Sequence, residues 1–462
     1  MNKKLHYCVL GLGITGISCL EFLINYKIAK ITATDVQDNL ELRELSDKYP
    51  TVEFIFGELK IPRNADILVL SPGIDQSLPV IQHAVAMGAK LTNDINLFLE
   101  QINKIKKTKA IQLAAITGTN GKTTVVNILA KMAERAGIKY AMCGNVGYPV
   151  LNALFDSDIL LYIIELSSFQ LELMDKLYCD VACILNITPD HLDRYPDFSV
   201  YCAAKLKIYQ HATNIVYYRE DINKYNPYSI KNDIKNYVSF GKHPIVTEKD
   251  FSIDPDYKWL IQGNHKILLI NDLPLTSEHN LLNALACLAV GYLLNLPEDA
   301  MCFALRNFSG LDHRCQIVGV FHDGVLWIND SKGTNIGATI AALNNTSATC
   351  YNRENNKQII IILGGVNKNA DLSLLKDIVV KNCKVAILIG QCKYELLNIL
   401  QDNINCDIAM DLRVAVAMAK QLAIKGDTVL FSPACASFDM FKNYKHRGEV
   451  FTENVLELYE HE

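Results

Sequence analysis

Short apolar runs rich in Val, Ile and Leu alternate along the whole chain with stretches whose apolar residues recur at helical spacing. A run without a polar face fits a strand buried on both sides, and a helical stretch between runs supplies the crossover. The pattern therefore predicts an α/β fold of mostly parallel sheets covered by helices. Three such series are visible. The first places strands at 7–10, 30–34 and 67–70 and closes in a polar, lysine-rich stretch at 103–109 that reads as a linker. The second starts at 111–116, repeats at 159–164 and 181–186, and ends in an apolar helix at 280–294. Between 217 and 276 the pattern weakens into short, polar, Tyr-rich segments that read as hairpins. The third runs through 325–328, 358–363, 385–389 and 428–431, with helices between. Domains are accordingly expected at 1–103, 104–309 and 310–462.

Composition agrees with this division, because 462 residues exceed what one core accommodates. Half the residues are hydrophobic and 21% are charged, with both signs mixed, which describes folded domains. A net charge of −5 gives no electrostatic case for nucleic acid or an anionic membrane. The 14 cysteines include no C-x-x-C pair, which argues against a disulfide framework and a structural zinc and favours a reducing cytoplasm. Lys3 and Lys4 before the apolar run 7–20 resemble a signal peptide. That run, however, carries regularly spaced Gly11, Gly13 and Gly16, lacks an A-x-A site and continues at helical period into Glu21 and Phe22. No apolar stretch reaches the roughly 18 to 20 residues that span a bilayer, so no membrane insertion is expected.

The sharpest chemical signal joins the strand at 111–116 to a helical pattern at 125–135. There Thr117, Gly118, Thr119, Asn120, Gly121, Lys122, Thr123 and Thr124 follow one another. Glycines let backbone N–H groups turn toward phosphate oxygens, and the helix N-terminus adds positive partial charge. Lys122 can reach the outer phosphates, and the Thr123 hydroxyl can ligate Mg²⁺. The usual first glycine of the longer phosphate-loop motif would fall at Ile116, so this is a shortened variant.

Glu165 ends the strand at 159–164, at the sheet edge where parallel sheets gather ligands, and its carboxylate can hold the metal that bridges nucleotide phosphates. The next strand ends in Asn186 and opens into Thr188, Pro189, Asp190, His191, Leu192, Asp193, Arg194 and Tyr195, a dense set of ligand types. Lys205, read from its surroundings alone, is an exposed lysine on a helix. The amino-terminal Gly11-Leu12-Gly13-Ile14-Thr15-Gly16 also describes an NAD site, with Asp35 as the ribose acceptor.

Further sets follow in one order. They are Glu165-Leu166-Ser167-Ser168-Phe169-Gln170, Asp190-His191-Leu192-Asp193-Arg194, Tyr201-Cys202-Ala203-Ala204-Lys205 and Leu311-Asp312-His313-Arg314. With the phosphate loop, Ser71-Pro72-Gly73 and Ser432-Pro433-Ala434-Cys435-Ala436-Ser437-Phe438-Asp439, the chain resembles the Mur ligases of peptidoglycan synthesis over nearly its whole length. The resemblance implies a Rossmann-like amino-terminal domain for a UDP-linked substrate, a central P-loop-type ATPase domain, and a Rossmann-like carboxy-terminal domain that binds the amino acid and closes over ATP. It implies an ATP-dependent amide ligase that adds D-glutamate to UDP-N-acetylmuramoyl-L-alanine through an acyl phosphate, acting as a cytoplasmic monomer. A carboxylate forms no amide unaided because oxide leaves poorly, whereas phosphate leaves readily.

The resemblance also assigns residues. ATP falls to Gly118, Thr119, Asn120, Gly121, Lys122, Thr123, Thr124, Asn280, Asn283, His313, Arg314, Asp330 and Lys332. Thr123 and Glu165 would hold one Mg²⁺; His191 and Lys205, the latter carbamylated by CO₂, would involve a second. Lys122, Glu165, His191 and Lys205 form the catalytic set. The UDP substrate falls to Ile14, Thr15, Asp35, Ser71, Gly73, Asn145 and His191, and D-glutamate to Thr334, Lys368, Ser437 and Tyr444. Many members carry an Arg two residues after the acidic position, where this chain has Gln37 after Val36, and Tyr444 stands where a Phe is more usual.

Overall fold

A computed structural model describes residues 5–28, 30–174, 176–229, 234–242, 247–350 and 358–460, the side chains of 229 and 348–350 excepted. The charged start at Lys3 and Lys4, and residues 230–233 and 243–246 of the Tyr-rich region, lie outside that set. The chain divides into two compact units. One comprises Met1–Ile187, Tyr201–Leu273 and Leu282–Asn307; the other comprises Thr188–Val200, Pro274–Leu281 and Phe308–Glu462.

The first unit holds two sheets. Strands β1 (His6–Leu10), β2 (Lys30–Asp35), β3 (Glu53–Phe56), β4 (Ile67–Leu70) and β5 (Lys90–Thr92) form a parallel sheet in the order β3-β2-β1-β4-β5. The glycine motif after β1 becomes a tight strand-to-helix turn. Gly11 sits at φ +85°, and a Cβ on Gly16 would lie 1.8 Å from the Gly11 carbonyl oxygen, so the helix Ile14–Asn25 packs this closely only with glycine there. The run 7–20 is thus a strand, a turn and a core helix. Among the described residues no helix is long and apolar enough to cross a membrane.

The second sheet contains β6 (Gln112–Thr117), β7 (Tyr140–Gly144), β8 (Leu161–Glu165), β9 (Val181–Ile184), β10 (Asn214–Tyr218), β11 (Asn236–Gly241), β12 (Phe251–Ile253), β13 (Trp259–Gln262) and β14 (His265–Leu269). Their order is β14-β13-β12-β11-β10-β9-β6-β8-β7. The expected hairpins are β12, β13 and β14, which pair antiparallel. By contrast β10 and β11 continue the parallel ladder, because Ile215, Val216 and Val238 bury apolar side chains behind the polar residues that disguised them. The stretch expected as a linker is helical only at its start: the helix Asp94–Ile105, with a buried stripe of Ile95, Phe98, Leu99 and Ile102 at helical spacing, takes in Asn103, Lys104 and Ile105, while 106–109 form turns.

That helix fastens the two sheets of this unit together. Asn93 Nδ2 donates to the Gln170 carbonyl at 3.0 Å, Asn96 Nδ2 to the Leu173 carbonyl at 2.8 Å, and Gln170 Nε2 to Asp94 Oδ2 at 3.4 Å. Phe98 packs edge-on against Tyr162. Asp94 is buried and its Oδ1 has no hydrogen-bond partner. Burial raises its pKa to about 6, with the Ile95 N–H and Gln170 opposing the shift.

The second unit carries β15 (Gln316–Val320), β16 (Leu326–Asn329), β17 (Ile359–Gly364), β18 (Cys383–Ile389), β19 (Asn405–Ile408) and β20 (Thr428–Phe431), in the order β15-β16-β20-β17-β18-β19. Among these named strands only the β15–β16 pairing is antiparallel. Ile359, Ile361 and Leu363 of β17 enter one core and Ile360 and Ile362 the other. Both faces are covered, which is why this strand has no polar face. The 13 cysteines with described side chains are free thiols.

Candidate active site

The phosphate loop begins where β6 ends, at the carboxyl edge of a parallel sheet. The Thr119 N–H donates to the Asn186 carbonyl at 2.9 Å, the Asn120 N–H to Asn186 Oδ1 at 2.9 Å, and Asn186 Nδ2 returns a bond to the Asn120 carbonyl at 3.1 Å. Asn186 is therefore the brace that shapes the loop. Gly121, at φ +86°, caps the helix Lys122–Arg135 without any side-chain cap bond. A Cβ there would lie 2.4 Å from Asn283 Oδ1, so the loop and this amide are fitted to one another. The Lys122 ammonium folds back onto the carbonyls of Gly118 (2.7 Å) and Thr119 (2.8 Å).

Glu165, the last residue of β8, is 1% exposed. Its Oε1 accepts from Asn145 Nδ2 at 2.9 Å, while Oε2 is buried with no hydrogen-bond partner. A buried carboxylate oxygen without a donor is costly. A hard divalent cation is one group that could satisfy such an oxygen. Mg²⁺ keeps waters and substrate phosphates in its shell and needs only one or two protein carboxylates, so the residues present fit it. Among the described residues no three His, Cys, Asp or Glu side chains cluster as an all-protein metal cage.

Lys205 departs from the surface reading of its local sequence. It is 2% exposed, because Tyr201, Cys202, Ala204 and Lys205 form the buried side of the helix Phe198–Leu206. Its ammonium donates to the Gly118 carbonyl at 3.0 Å and lies 4.7 Å over the Tyr201 ring. The Tyr201 hydroxyl in turn meets Thr119 Oγ1 at 3.0 Å. Two lysines, 122 and 205, thus converge on one carbonyl of the phosphate loop.

Of the residues expected at the UDP moiety, Ile14, Thr15, Asp35, Ser71 and Gly73 lie at the carboxyl ends of β1, β2 and β4, whereas Asn145 follows β7 and His191 lies in the second unit. Asp35 Oδ2 accepts from the Leu12 N–H at 2.6 Å, its Oδ1 accepts from the Gln37 N–H at 2.8 Å, and Ser71 Oγ donates to the Gly11 carbonyl at 2.7 Å. Ile14 and Thr15 open a helix whose N-cap, Gly13, makes no side-chain cap bond. That leaves an anion-ready end. Gly73 follows on the same turn as Ser71, whereas Asn145 is engaged with Glu165.

The second unit gathers the rest. Asp190 is buried, and its Oδ1 accepts from Lys368 Nζ at 2.6 Å and from the His191 N–H at 2.9 Å, while Oδ2 accepts from Asn335 Nδ2 at 3.0 Å. Burial alone would raise its pKa, yet Lys368, His191 and these donors hold it below the ordinary carboxylate value. His191 itself adopts φ +56°. Asn280 donates to Ser277 Oγ at 2.9 Å inside the first turn of the helix Glu278–Leu293, so it is no N-cap.

His313, at φ +60°, meets Asn329 Nδ2 at 3.2 Å, and burial lowers its pKa. Arg314 follows it directly. Asp330 accepts from Ser432 Oγ at 2.6 Å and from the Cys315 N–H at 3.2 Å, and burial raises its pKa to about 6. The Lys332 ammonium lies 3.6 Å over the Tyr444 ring. Thr334 donates its N–H to the Lys332 carbonyl at 2.8 Å, and Ser437 is buried.

One central residue gave no sequence signal. Arg447 is fully buried, with its pKa lowered to about 10 by that burial. It donates to Ser331 Oγ (3.0 Å), the Ser331 carbonyl (2.8 Å) and the Cys435 carbonyl (3.0 Å). The segments carrying Lys332 and Ser437 are thereby tied together.

Comparison with known proteins matches three successive stretches of the chain. Residues 5–93 match the family described as Mur ligase MurD-like, N-terminal domain, residues 116–291 the Mur ligase middle domain, and residues 313–435 the Mur ligase, glutamate ligase domain. UDP-N-acetylmuramoylalanine--D-glutamate ligase of Saccharophagus degradans is 38% identical over 97% of each chain. The protein of that name from Pseudomonas fluorescens is 39% identical, again over 97% of each. Among solved structures, a pseudomurein peptide ligase type C from Methanothermus fervidus superposes with a TM-score of 0.61 over 98% of this chain and 100% of its own, at 17% identity.

Proposed function

Because the chain belongs to the Mur ligase family, we propose that it is an ATP-dependent ligase that joins D-glutamate to UDP-N-acetylmuramoyl-L-alanine, a step of peptidoglycan precursor synthesis. The observation that carries the ATP chemistry is the buried, partnerless Glu165 Oε2 in the unit that holds the braced phosphate loop. The choice of amino acid and acceptor rests on the similarity to full-length relatives of that name.

In this reading the alanyl carboxylate attacks the γ-phosphorus of ATP to give an acyl phosphate and ADP. The D-glutamate amine then attacks the acyl carbon, and the tetrahedral intermediate collapses by expelling phosphate. Lys122 and the uncapped helix N-terminus after Gly121 meet the phosphates. Arg314 suits bidentate phosphate contact. Mg²⁺, when bound, lowers the repulsion between the two anions, with Thr123 and Glu165 as its protein ligands. His191 and a carbamylated Lys205 are the further ligands that family membership implies.

A carbamate on Lys205 also has a local rationale. Two ammonium groups otherwise crowd the Gly118 carbonyl, and deprotonation of one followed by CO₂ addition, two protons leaving in all, converts it into a carbamate anion that could ligate a metal. Thr334, Lys368, Ser437 and Tyr444 provide the cation and hydroxyls that a dicarboxylate requires. We place the reaction in the cytoplasm, carried out by a monomer.

The test is phosphate release from ATP by the purified protein. Release should depend on both D-glutamate and UDP-N-acetylmuramoyl-L-alanine. Release that instead follows glutamylated folate, or proceeds with a different amino acid, would overturn the assignment.

A further inference from the structure

We propose that Asp190 is a positioning residue that sets the Lys368 ammonium for the carboxylate of the amino-acid substrate; this deepens, and rests on, the reaction assigned above. Lys368 lies in the glycine-rich segment 364–371, and its long stem would otherwise sample many rotamers. In the structure the ammonium is fixed 2.6 Å from Asp190 Oδ1. The pair is sheltered, with side-chain exposures of 16% and 9%, so it is not a solvent-screened surface contact.

Asp190 is itself held by two further donors. Asn335 Nδ2 donates to its Oδ2, and Asn335 is immobilised because its own Oδ1 accepts the Ala338 N–H at 2.9 Å as the helix Ile336–Cys350 begins. The His191 N–H donates to Asp190 Oδ1 and so fixes a residue in left-handed backbone conformation. One carboxylate therefore ties together residues 190–191, 335 and 368. A sheltered ion pair adds little stability over an apolar replacement of the same shape. What it supplies here is a cation at a defined point. A lysine ammonium has three donors, so one bond to Asp190 leaves capacity for a substrate carboxylate. The Asp190 charge at the same time excludes that carboxylate from its own side of the lysine, which fixes the direction of approach.

The experiment uses the full chain with ATP and the UDP substrate saturating, and measures kcat and KM for D-glutamate. Asp190→Asn should raise that KM on the order of 10-fold while leaving KM for ATP within about twofold. Combined with Lys368→Met, it should add almost nothing to the effect of Lys368→Met alone. A variant that melts earlier yet keeps the wild-type KM for D-glutamate would make the pair merely structural and overturn the proposal, as would multiplicative effects in the double variant. Should Asp190→Asn fail to fold, Asn335→Ser keeps a cap acceptor for the Ala338 N–H while withdrawing the amide donor from Asp190 Oδ2, and should raise the same KM about threefold; no rise refutes the proposal. A wild-type protein without D-glutamate-dependent turnover would sink the reaction assignment itself, whereas an active wild type with an indifferent Asp190→Asn sinks only the positioning role.

Discussion

Asp94 should make the junction between the two sheets of the first unit sensitive to pH. Its folded-state pKa of about 6 lies above the ordinary 3.8, chiefly through burial, and one oxygen has no partner. An acid whose pKa rises on folding is proton-rich in the native state. Its contribution is therefore fully present below pH 3.8, is lost as pH rises toward 6, and is flat above. Applying the linkage relation to those two values, the group removes about 3 kcal/mol in total, of which about 2 kcal/mol falls between pH 4.5 and 8. Asp94→Asn removes the ionisation and keeps an acceptor for Gln170. Its amide nitrogen lands where Oδ1 lacks a partner, at a pH-independent cost of about 1–3 kcal/mol. The informative quantity is thus the change with pH, not the absolute difference at one pH. Hydrogen exchange in urea, followed on peptides covering Asp94–Ile105 and Ser168–Glu172, reads this junction locally, which matters because a chain with several cores does not unfold in two states. Between pH 4.5 and 8 the wild type should lose about 2 kcal/mol relative to the variant. Parallel pH profiles for the two proteins would refute the assignment of a raised pKa to Asp94.

Three substitutions test the phosphate loop. Lys122→Ala leaves phosphate charge uncompensated and should slow phosphate release by about 100-fold or more; a wild-type rate would refute the role. Lys205→Ala should be inactive and partly restored by a small added carboxylic acid, and failure of any rescue with metal affinity unchanged would count against a carbamate. Gly121→Ala forces alanine to φ +86° and sets its Cβ 2.4 Å from Asn283 Oδ1. The left-handed conformation alone costs about 1–2 kcal/mol. The KM for ATP should rise about 10-fold with circular dichroism unchanged, and an unaltered KM would show that the loop tolerates the shift.

How much of this was legible from the chain depends on the range of the interaction involved. Central strands such as β6, β8, β17 and β20 were visible because burial on both faces forces a continuous apolar run. β3, β5, β7, β15 and β19 went unseen: they lie at sheet edges, and a strand covered on one side needs no such run. The phosphate loop was legible for a related reason, since its glycines, lysine and threonines act through backbone shape within eight successive residues. The family resemblance, carried by motifs spread in order along the chain, likewise needed no coordinates.

Tertiary structure decided what depends on neighbours distant in sequence. Nothing around Lys205 says that its helix turns that side toward Gly118, 87 residues earlier. Asp190 and Lys368 are 178 residues apart and look independent until the fold sets them 2.6 Å from each other. Arg447 reads as one more charge on a helix, and only packing surrounds it with two carbonyls and a hydroxyl. Hydrophobic period and turn chemistry are local properties of a chain, whereas burial of a charge and the partner that makes it tolerable arise only when separate segments meet.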